Sequence, residues 1–212
     1  MAEEQEVIYE HLLQQGGDRM LREASAYFAG QGRLHSALRR LTQRLDTEEI
    51  PYALLGGLAL AGHGYPRLTE SIDLLLTPSR LERFRQRLVG RGYRPAFSGA
   101  RKTFRDTETG VRIEIVTAGE YPGDGLPKPV AFPDPATPGV TVEMEGVCVV
   151  ALEKLVELKL ASGMSAAHRL RDLADVQDLI TRLGLPLTLA DRLDLSVRAA
   201  YRDLWEKAHP GD

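Results

Sequence analysis

The sequence predicts an α/β fold in which a mixed β-sheet is flanked by helices, with a helical extension before it and a helical bundle after it. Three observations predict this arrangement. Helical periodicity runs through residues 5–47, short apolar runs typical of strands fill residues 52–150, and helical periodicity returns from residue 151. A chain of 212 residues is also closer to one domain with extensions than to two full domains. We therefore divide it into residues 1–48, 49–150 and 151–212.

The N-terminal extension is predicted to contain three helices. Glycines at Gly16-Gly17 and around Gln31 separate three segments with helical periodicity. The apolar residues at helical spacing are Val7, Ile8, Leu12, Met20, Leu21, Ala24, Leu34, Leu38, Leu41 and Leu45. Such helices would either cap the core domain or form an interface with a partner.

The central part begins with two strands that are each followed by a helix. Residues 52–55 form an apolar run that ends at two glycines, as a buried strand would, and residues 58–64 are predicted to be a short helix. A second strand is predicted at residues 71–76. Thr77 and Pro78 then favour the start of a helix that runs to about residue 89, because threonine is a good N-cap and proline suits the first turn.

Further strands and a long irregular segment complete the core. Strands are expected at residues 93–97, 102–106, 111–117, 140–143 and 147–149, with a hairpin turn at residues 108–110. Residues 119–139 are dense in glycine and proline and too long for an idle connection, so we expect this segment to border a site. Helices are predicted at residues 151–162, 165–182 and about 190–207.

The composition excludes several classes of protein. An apolar fraction of 43% with 27% charged residues excludes a wholly disordered chain, a collagen and a coiled-coil rod. The chain has no apolar stretch of a membrane span's length and begins with acidic residues where a secretory signal would be basic, which predicts a cytoplasmic location. The single cysteine, Cys148, excludes an intrachain disulfide and a cysteine-type zinc site, and its apolar neighbours predict a buried structural thiol.

The charge balance gives no global signal for nucleic acid. The chain has 27 basic and 30 acidic residues, a net charge of −3. Arginines nevertheless concentrate on two predicted helical stretches: Arg33, Arg39, Arg40 and Arg44, then Arg80, Arg83, Arg85, Arg87, Arg91 and Arg94. A solvated helix face and a track along a phosphate backbone both fit this pattern.

Candidate chemistry is concentrated around the first two strands. The Gly56-Gly57 pair lies between a strand and a helix, where backbone amides and the helix N-terminus would favour a phosphate chain. Asp73 on the second strand would face that turn, where it could hold magnesium bridging the phosphates. Strand alternation places Glu114 on the same face as Arg112 and Val116. If the two strands are neighbours, Asp73 and Glu114 can meet.

Residues 50–183 resemble the nucleotidyltransferase superfamily of the polymerase-beta type, in the minimal branch that includes abortive-infection and related toxin-like transferases. The motifs that carry the resemblance are Gly56-Gly57, the segment from Arg67 through Thr69 and Ser71 to Asp73, Glu114 as a third carboxylate, Lys159, and the segment Arg171-Asp172-Leu173-Ala174-Asp175. The resemblance implies that Asp73 and Glu114 bind Mg²⁺. It also implies that an NTP is bound by Gly56, Gly57, Arg67, Thr69, Lys159 and Asp172.

The chain departs from this pattern at one position, because Ser71 stands where the family has its first metal-binding aspartate. A serine hydroxyl is a neutral and weaker ligand for a hard cation, so we expect two-metal catalysis to be weakened or lost. Glu70 cannot replace it without a bulge, because neighbouring strand residues point to opposite faces.

Three functions therefore remain open. The first is an enzyme that passes a nucleoside monophosphate to a hydroxyl of a small molecule, protein or RNA. The second is a catalytically weak or inactive module that binds a nucleotide or a partner protein. The third is an idle member of an oligomer in which another chain supplies what Ser71 lacks.

Each candidate residue also has a simpler structural explanation. The glycines would then form only a tight turn, Asp73 would be a surface carboxylate and Lys159 a helix-surface residue. Glu114, Arg67 and Asp172 would form ordinary ion pairs, the last of these with Arg169 or Arg171, and His63 and His168 would be structural or surface residues.

Overall fold

The structure, a computed structural model, describes residues 8–14 and 17–210, with Arg19 described by its backbone alone. The predictions for residues 5–7 and for Gly16 lie outside the described residues. In the described part, helices α1 (Tyr9–Gln14), α2 (Gly17–Phe28) and α3 (Arg33–Thr47) confirm the three predicted N-terminal helices. Helix α3 buries Leu34, Leu41 and Leu45, as its periodicity predicts.

A seven-stranded mixed sheet forms the centre of the described part of the chain. The strands are β1 (Ala53–Leu54), β2 (Ser71–Leu76), β3 (Tyr93–Pro95), β4 (Thr103–Asp106), β5 (Arg112–Thr117), β6 (Thr141–Met144) and β7 (Val147–Val150). Their order in the sheet is β3-β4-β5-β2-β1-β7-β6. The pairs β2–β5 and β1–β7 are parallel and the other pairs antiparallel, which confirms the predicted mixed sheet and the β4–β5 hairpin.

The remaining helices are α4 (Gly56–Gly62), α5 (Pro78–Leu88), α6 (Leu152–Ser165), α7 (Leu170–Leu183) and α8 (Leu195–Ala208). Helix α5 begins as predicted, with the Thr77 side chain accepting a hydrogen bond from the Arg80 amide. The predicted starts of three helices are wrong. Helix α4 starts two residues early, at Gly56, and α7 and α8 start late because short 3₁₀ turns precede them. Asp194, which caps α8 by accepting from the Ser196 amide, sets its true start.

The core lies around β2, whose Ile72, Leu74, Leu75 and Leu76 are fully buried. Helices α3 and α4 contact β2, while α5 contacts β5. Helices α6 and α7 pack on each other and α8 packs on both. Among the described residues, no helix has the length and apolarity needed to cross a bilayer.

Two smaller predictions are modified by the sheet. Cys148 is half-buried, not fully buried, because its strand β7 has only the edge strand β6 on one side. Burial raises the pKa of the Cys148 thiol, which argues against a nucleophile. Several clustered arginines form ion pairs. Arg40 pairs with the buried Asp106, and more exposed pairs join Arg80 to Asp134, Arg85 to Glu82 and Arg87 to Glu48. The phosphate-track alternative stays a prediction.

Candidate functional site

Two carboxylates lie side by side in the middle of the sheet. Strands β2 and β5 are parallel neighbours, and Asp73 is the register partner of Glu114, as strand alternation predicted. Burial raises the pKa of Asp73, and the hydrogen bond from Ser71 offsets this only in part. Burial, and after it the charge of Asp73, raises the pKa of Glu114. The two carboxylates therefore repel each other, and a cation between them would reduce this repulsion.

The two glycines make room for the side chains opposite them. Gly56 has a φ of +59°, and a Cβ at this position would overlap Asp73 Oδ2. A Cβ at Gly57 would lie 2.7 Å from the Cβ of Thr69. The glycine pair is thus more than a tight turn, because it allows Asp73 and Thr69 to approach the start of α4.

Ser71 lies on the same side of β2 as Asp73, two residues away. Its Oγ donates a hydrogen bond to Asp73 Oδ1 at 3.0 Å. This bond stabilises the carboxylate form of Asp73. It also means that position 71 contributes a neutral group, as the sequence indicated.

Lys159 is buried, and the interpretation of it as a helix-surface residue is wrong. Its Nζ donates to Asp172 Oδ1 at 2.9 Å and to Asp175 Oδ2 at 2.7 Å. Burial raises the pKa of Asp172, but Lys159 and the hydrogen bond from Ser162 outweigh this, so its pKa lies below its usual range. The three residues join α6 to α7 beneath the carboxylate pair.

Two arginines extend this buried cluster. Arg169 Nε donates to Asp172 Oδ2 at 2.8 Å, and Arg67 Nη2 donates to Asp175 Oδ2 at 3.1 Å. The ion pairs that were the simpler explanation for Arg67 and Asp172 are thus present. Sequence reasoning did not choose Asp175 and Arg169 as site residues. The available signals were the three-residue spacing, which places Asp172 and Asp175 on one side of α7 with Arg169 just before its start, and the presence of Asp175 in the segment from Arg171 to Asp175.

Two cavities open on either side of Gly56 and Asp73. One, of about 180 Å³, is lined by Asp73, Glu114, Lys159 and apolar side chains. Pro122, Gly123 and Phe132 also line it, so the predicted irregular segment does border this cavity. The other, of about 270 Å³, is lined by both glycines, Thr69 and a set of basic side chains: Arg67, Lys159, Arg169 and Arg171.

The remaining candidates have local roles. Glu114 forms an ion pair, since Arg112 Nε lies 2.9 Å from its Oε1. His63 Nε2 bonds the Val150 carbonyl at 2.7 Å, a structural role, whereas His168 is exposed and lines the 270 Å³ cavity. Within residues 8–14 and 17–210, no three His, Cys, Asp or Glu side chains come together as metal ligands. Asp73 and Glu114 are the adjacent carboxylates that could hold a metal ion.

The seven-stranded mixed sheet flanked by helices is a nucleotidyltransferase fold. The family model described as "Uncharacterised nucleotidyltransferase" matches residues 9–199, and the chain belongs to this family. The predicted membership of the nucleotidyltransferase superfamily is thereby confirmed. Nucleotidyltransferases take a nucleotide from an NTP and pass it to an acceptor, generally with a divalent metal ion.

The chain is similar to several solved structures. The chain is similar to ANT(2″)-Ia, crystallised in complex with adenylyl-2″-tobramycin, with a TM-score of 0.52 and 15% identity over 79% of this chain and 96% of that one. A candidate nucleotidyltransferase from Thermotoga maritima is 22% identical over 66% of this chain and 91% of that one, with a TM-score of 0.46. The Helicobacter pylori protein JHP933 is 16% identical over 91% and 93%, with a TM-score of 0.45. No significant match was found among curated proteins.

Proposed function

We propose that this protein binds an NTP with Mg²⁺ between the glycine turn and β2 and transfers the nucleoside monophosphate to an acceptor hydroxyl. The observation that carries the proposal is the pairing of Asp73 with Glu114 in one register, opposite a wall of basic side chains. Carboxylates suit a metal and cations suit a triphosphate, so the two halves of an Mg–NTP ligand have complementary partners here.

The residues present fit one magnesium ion better than two. Mg²⁺ is commonly held by one or two carboxylates together with substrate phosphates and water. Asp73 and Glu114 meet that requirement, and their mutual repulsion favours a cation between them. Ser71 adds only a hydroxyl, which already donates to Asp73. The second metal of a two-metal site therefore lacks a charged protein ligand.

The triphosphate is assigned to the 270 Å³ cavity. Helix α4 has only seven residues, as many as predicted, so we assign little of the attraction to its dipole. The attraction comes instead from basic side chains, above all Arg171, for which the structure gives no ion pair among the described residues. The glycines leave the backbone open to the phosphates. The contact of Lys159 with Asp172 holds α6 and α7 together, and these helices form the opposite wall of the cavity.

The transfer proposed is an in-line displacement. The acceptor hydroxyl oxygen forms a bond to the α-phosphorus, the bond from that phosphorus to the bridging oxygen breaks, and pyrophosphate leaves. Bound magnesium would supply charge neutralisation at the phosphates. Glu114, whose pKa is raised by burial and by Asp73, would accept the hydroxyl proton. The basic cavity wall would hold the departing pyrophosphate.

A second candidate function is nucleotide binding without turnover. It is favoured by Ser71, because loss of one carboxylate ligand weakens catalysis more than it weakens nucleotide binding. Assignment to the abortive-infection branch, a toxin-like role and a partner protein or second copy of the chain all stay predictions.

The substitution Ser71→Asp separates the two candidates. If the site lacks only this ligand, Mg²⁺-dependent pyrophosphate release from an NTP should rise roughly tenfold, equivalent to about 1.4 kcal/mol at the transition state. Release would be measured with each of the four NTPs. Ser98→Asp, at an exposed position outside the site, is the matched control and should change nothing. No gain with any NTP would contradict a near-intact transferase and leave the binding function as the better account.

A further inference from the structure

A third cavity lies next to Ser71, at the start of β2. It has a volume of about 500 Å³ and is enclosed by the N-terminal helices, through Leu13 and Met20, and by the segment that enters β2. Ser71 lines this cavity, whereas Asp73 lines the two cavities described above. The new cavity, called here the arginine cavity, joins the phosphate cavity at Arg67, Thr69 and Arg171.

The charge of the arginine cavity is positive. Arg67, Arg112 and Arg171 line it against a single lining carboxylate, Glu70. Arg67 has to share Asp175 with Lys159. Arg171 is exposed, and no acidic partner for it is found in the described part of the chain. Arg112 is already paired with Glu10 and Glu114, so the positive charge that an anion entering this space would meet comes above all from Arg171.

The hydrogen bonding of two of these arginines is also incomplete. The Nε atoms of Arg67 and Arg112 are buried, and neither donates a hydrogen bond to any described residue. For Arg112 this holds although Glu10 and Glu114 lie within 3.3 and 2.9 Å of the atom. Guanidinium groups with unused donors are well suited to a phosphate, which accepts several hydrogen bonds at once.

Ser71 explains why an anion suits this place. An aspartate at position 71 would add a negative charge to the cavity wall and attract a cation. Serine removes that charge, so the three arginines are no longer balanced by the strand between them. A serine where the resemblance implies an aspartate therefore leaves the Ser71 end of the cavity wall without a negative charge.

We propose that the arginine cavity binds a phosphate group of the acceptor, so that the acceptor is a phosphorylated compound with a free hydroxyl. The naming of the occupant as the acceptor rests on the proposed transfer function, whereas the binding of a phosphate does not. The cavity shares Arg67, Thr69 and Arg171 with the NTP cleft, but it is lined by neither glycine nor by Asp73. A small phosphorylated ligand fits its volume.

The test is a calorimetric titration with glycerol 3-phosphate, compared with uncharged glycerol, in the absence of metal and NTP. The wild-type protein should bind the phosphate ester and not glycerol. Arg171→Gln should weaken binding roughly tenfold, because an exposed charged donor is lost without disturbing the core. Ser71→Asp should weaken it similarly by adding a negative charge. Arg83→Gln, an exposed arginine on α5, is the matched control and should leave the affinity unchanged.

Three outcomes would overturn the proposal. These are no binding by the wild type, equal weakening by Arg83→Gln, or an affinity that Ser71→Asp leaves intact. A second titration, with Mg–ATP already present, separates this cavity from the NTP site. Undiminished affinity supports a second-substrate site, whereas competition would make the cavity part of the NTP site. Since the first titration contains neither metal nor NTP, its result does not depend on whether the proposed transfer function is correct.

Discussion

At the level of single residues, the contact between Gly56 and Asp73 determines the shape of the site. Any side chain at position 56 meets the Asp73 carboxylate, which is held from the other side by Ser71. The positive φ of Gly56 adds a second constraint, since L-residues adopt this conformation at a cost. The residue is thus needed for its backbone angle and for its lack of a side chain.

The substitution Gly56→Ala tests this contact, with Gly184→Ala as the control. Gly184 ends α7 with a similar φ of +62°, and a Cβ there would meet no atom within 4 Å. Both variants should lose about 1 kcal/mol of folding stability to backbone strain, and Gly56→Ala should lose more because its Cβ would overlap Asp73 Oδ2. Only Gly56→Ala should also lose Mg–NTP binding, because it displaces Asp73. Equal effects of the two variants on nucleotide affinity would contradict the account.

The buried cluster around Lys159 leads to a second residue-level prediction. Lys159→Met leaves Asp172 and Asp175 facing each other without their shared cation. We expect chemical denaturation to show a loss of about 3–5 kcal/mol of unfolding free energy, typical of a broken buried pair. The control is Lys207→Met, at an exposed lysine paired with Asp203, which should cost less than about 1 kcal/mol. A small loss for Lys159→Met would mean that the cluster is not stabilised as described.

At the level of elements, helix α1 is linked to the sheet through the buried carboxylate of Glu10. Glu10 accepts hydrogen bonds from Arg105 on β4, at 2.8 and 3.2 Å, and lies 3.3 Å from Arg112 on β5. Burial raises the pKa of Glu10, but the hydrogen bond and charge of Arg105 outweigh this, so the pKa lies below its usual value. Because Arg112 also contacts Glu114, α1 is linked to the site through two ion pairs.

The pH dependence of stability tests this link. A carboxylate whose pKa is lowered by folding stabilises the native state above its unfolded pKa of about 4.5, and this contribution is lost as the pH falls through the folded value. Glu10→Gln should therefore reduce the unfolding free energy at pH 7 by roughly 1–3 kcal/mol. The difference from wild type, measured by denaturation at several pH values, should shrink below about pH 4.5. A difference that stays constant with pH would rule out the ion pair as its cause.

Most elements could be predicted from the sequence, and the exceptions share a physical reason. Strand β2 was predicted to the residue because apolar residues lie on both sides of Asp73 and the run is bounded by Thr77 and Pro78. Helix α4 begins earlier than predicted because Gly56 and Gly57, which read as a turn, adopt helical hydrogen bonding once Asp73 and Thr69 pack on them. Contacts with the distant β2 region, which no local pattern reveals, decide that boundary.

At the level of the whole molecule, the site combines one part that is predictable with one that is not. The pairing of Asp73 with Glu114 followed from strand alternation once the two strands were taken as neighbours. The burial of Lys159 did not, because its partners lie 13 and 16 residues away on another helix. Arg67 and Asp175 are separated by 108 residues, and only the packing of α7 against the loop before β2 brings them together.

The same packing assigns the different parts of the site to different elements of the fold. The sheet presents the two carboxylates, helices α6 and α7 present the basic wall, and the N-terminal helices enclose the arginine cavity. The three cavities lie around one short stretch of β2, and Asp73 lines two of them. This geometry is what a transfer between two substrates requires.

The central claim, an Mg–NTP site at Asp73, is tested most directly by thermal unfolding with each of the four NTPs, with and without Mg²⁺. A ligand at about 100 times its Kd stabilises the folded state by roughly 2.7 kcal/mol, or on the order of 5–10 °C for a chain of this size. The account predicts such a rise in Tm for the wild type with at least one NTP and Mg²⁺, and none for Asp73→Asn. No rise with any NTP, or an equal rise in Asp73→Asn, would contradict it.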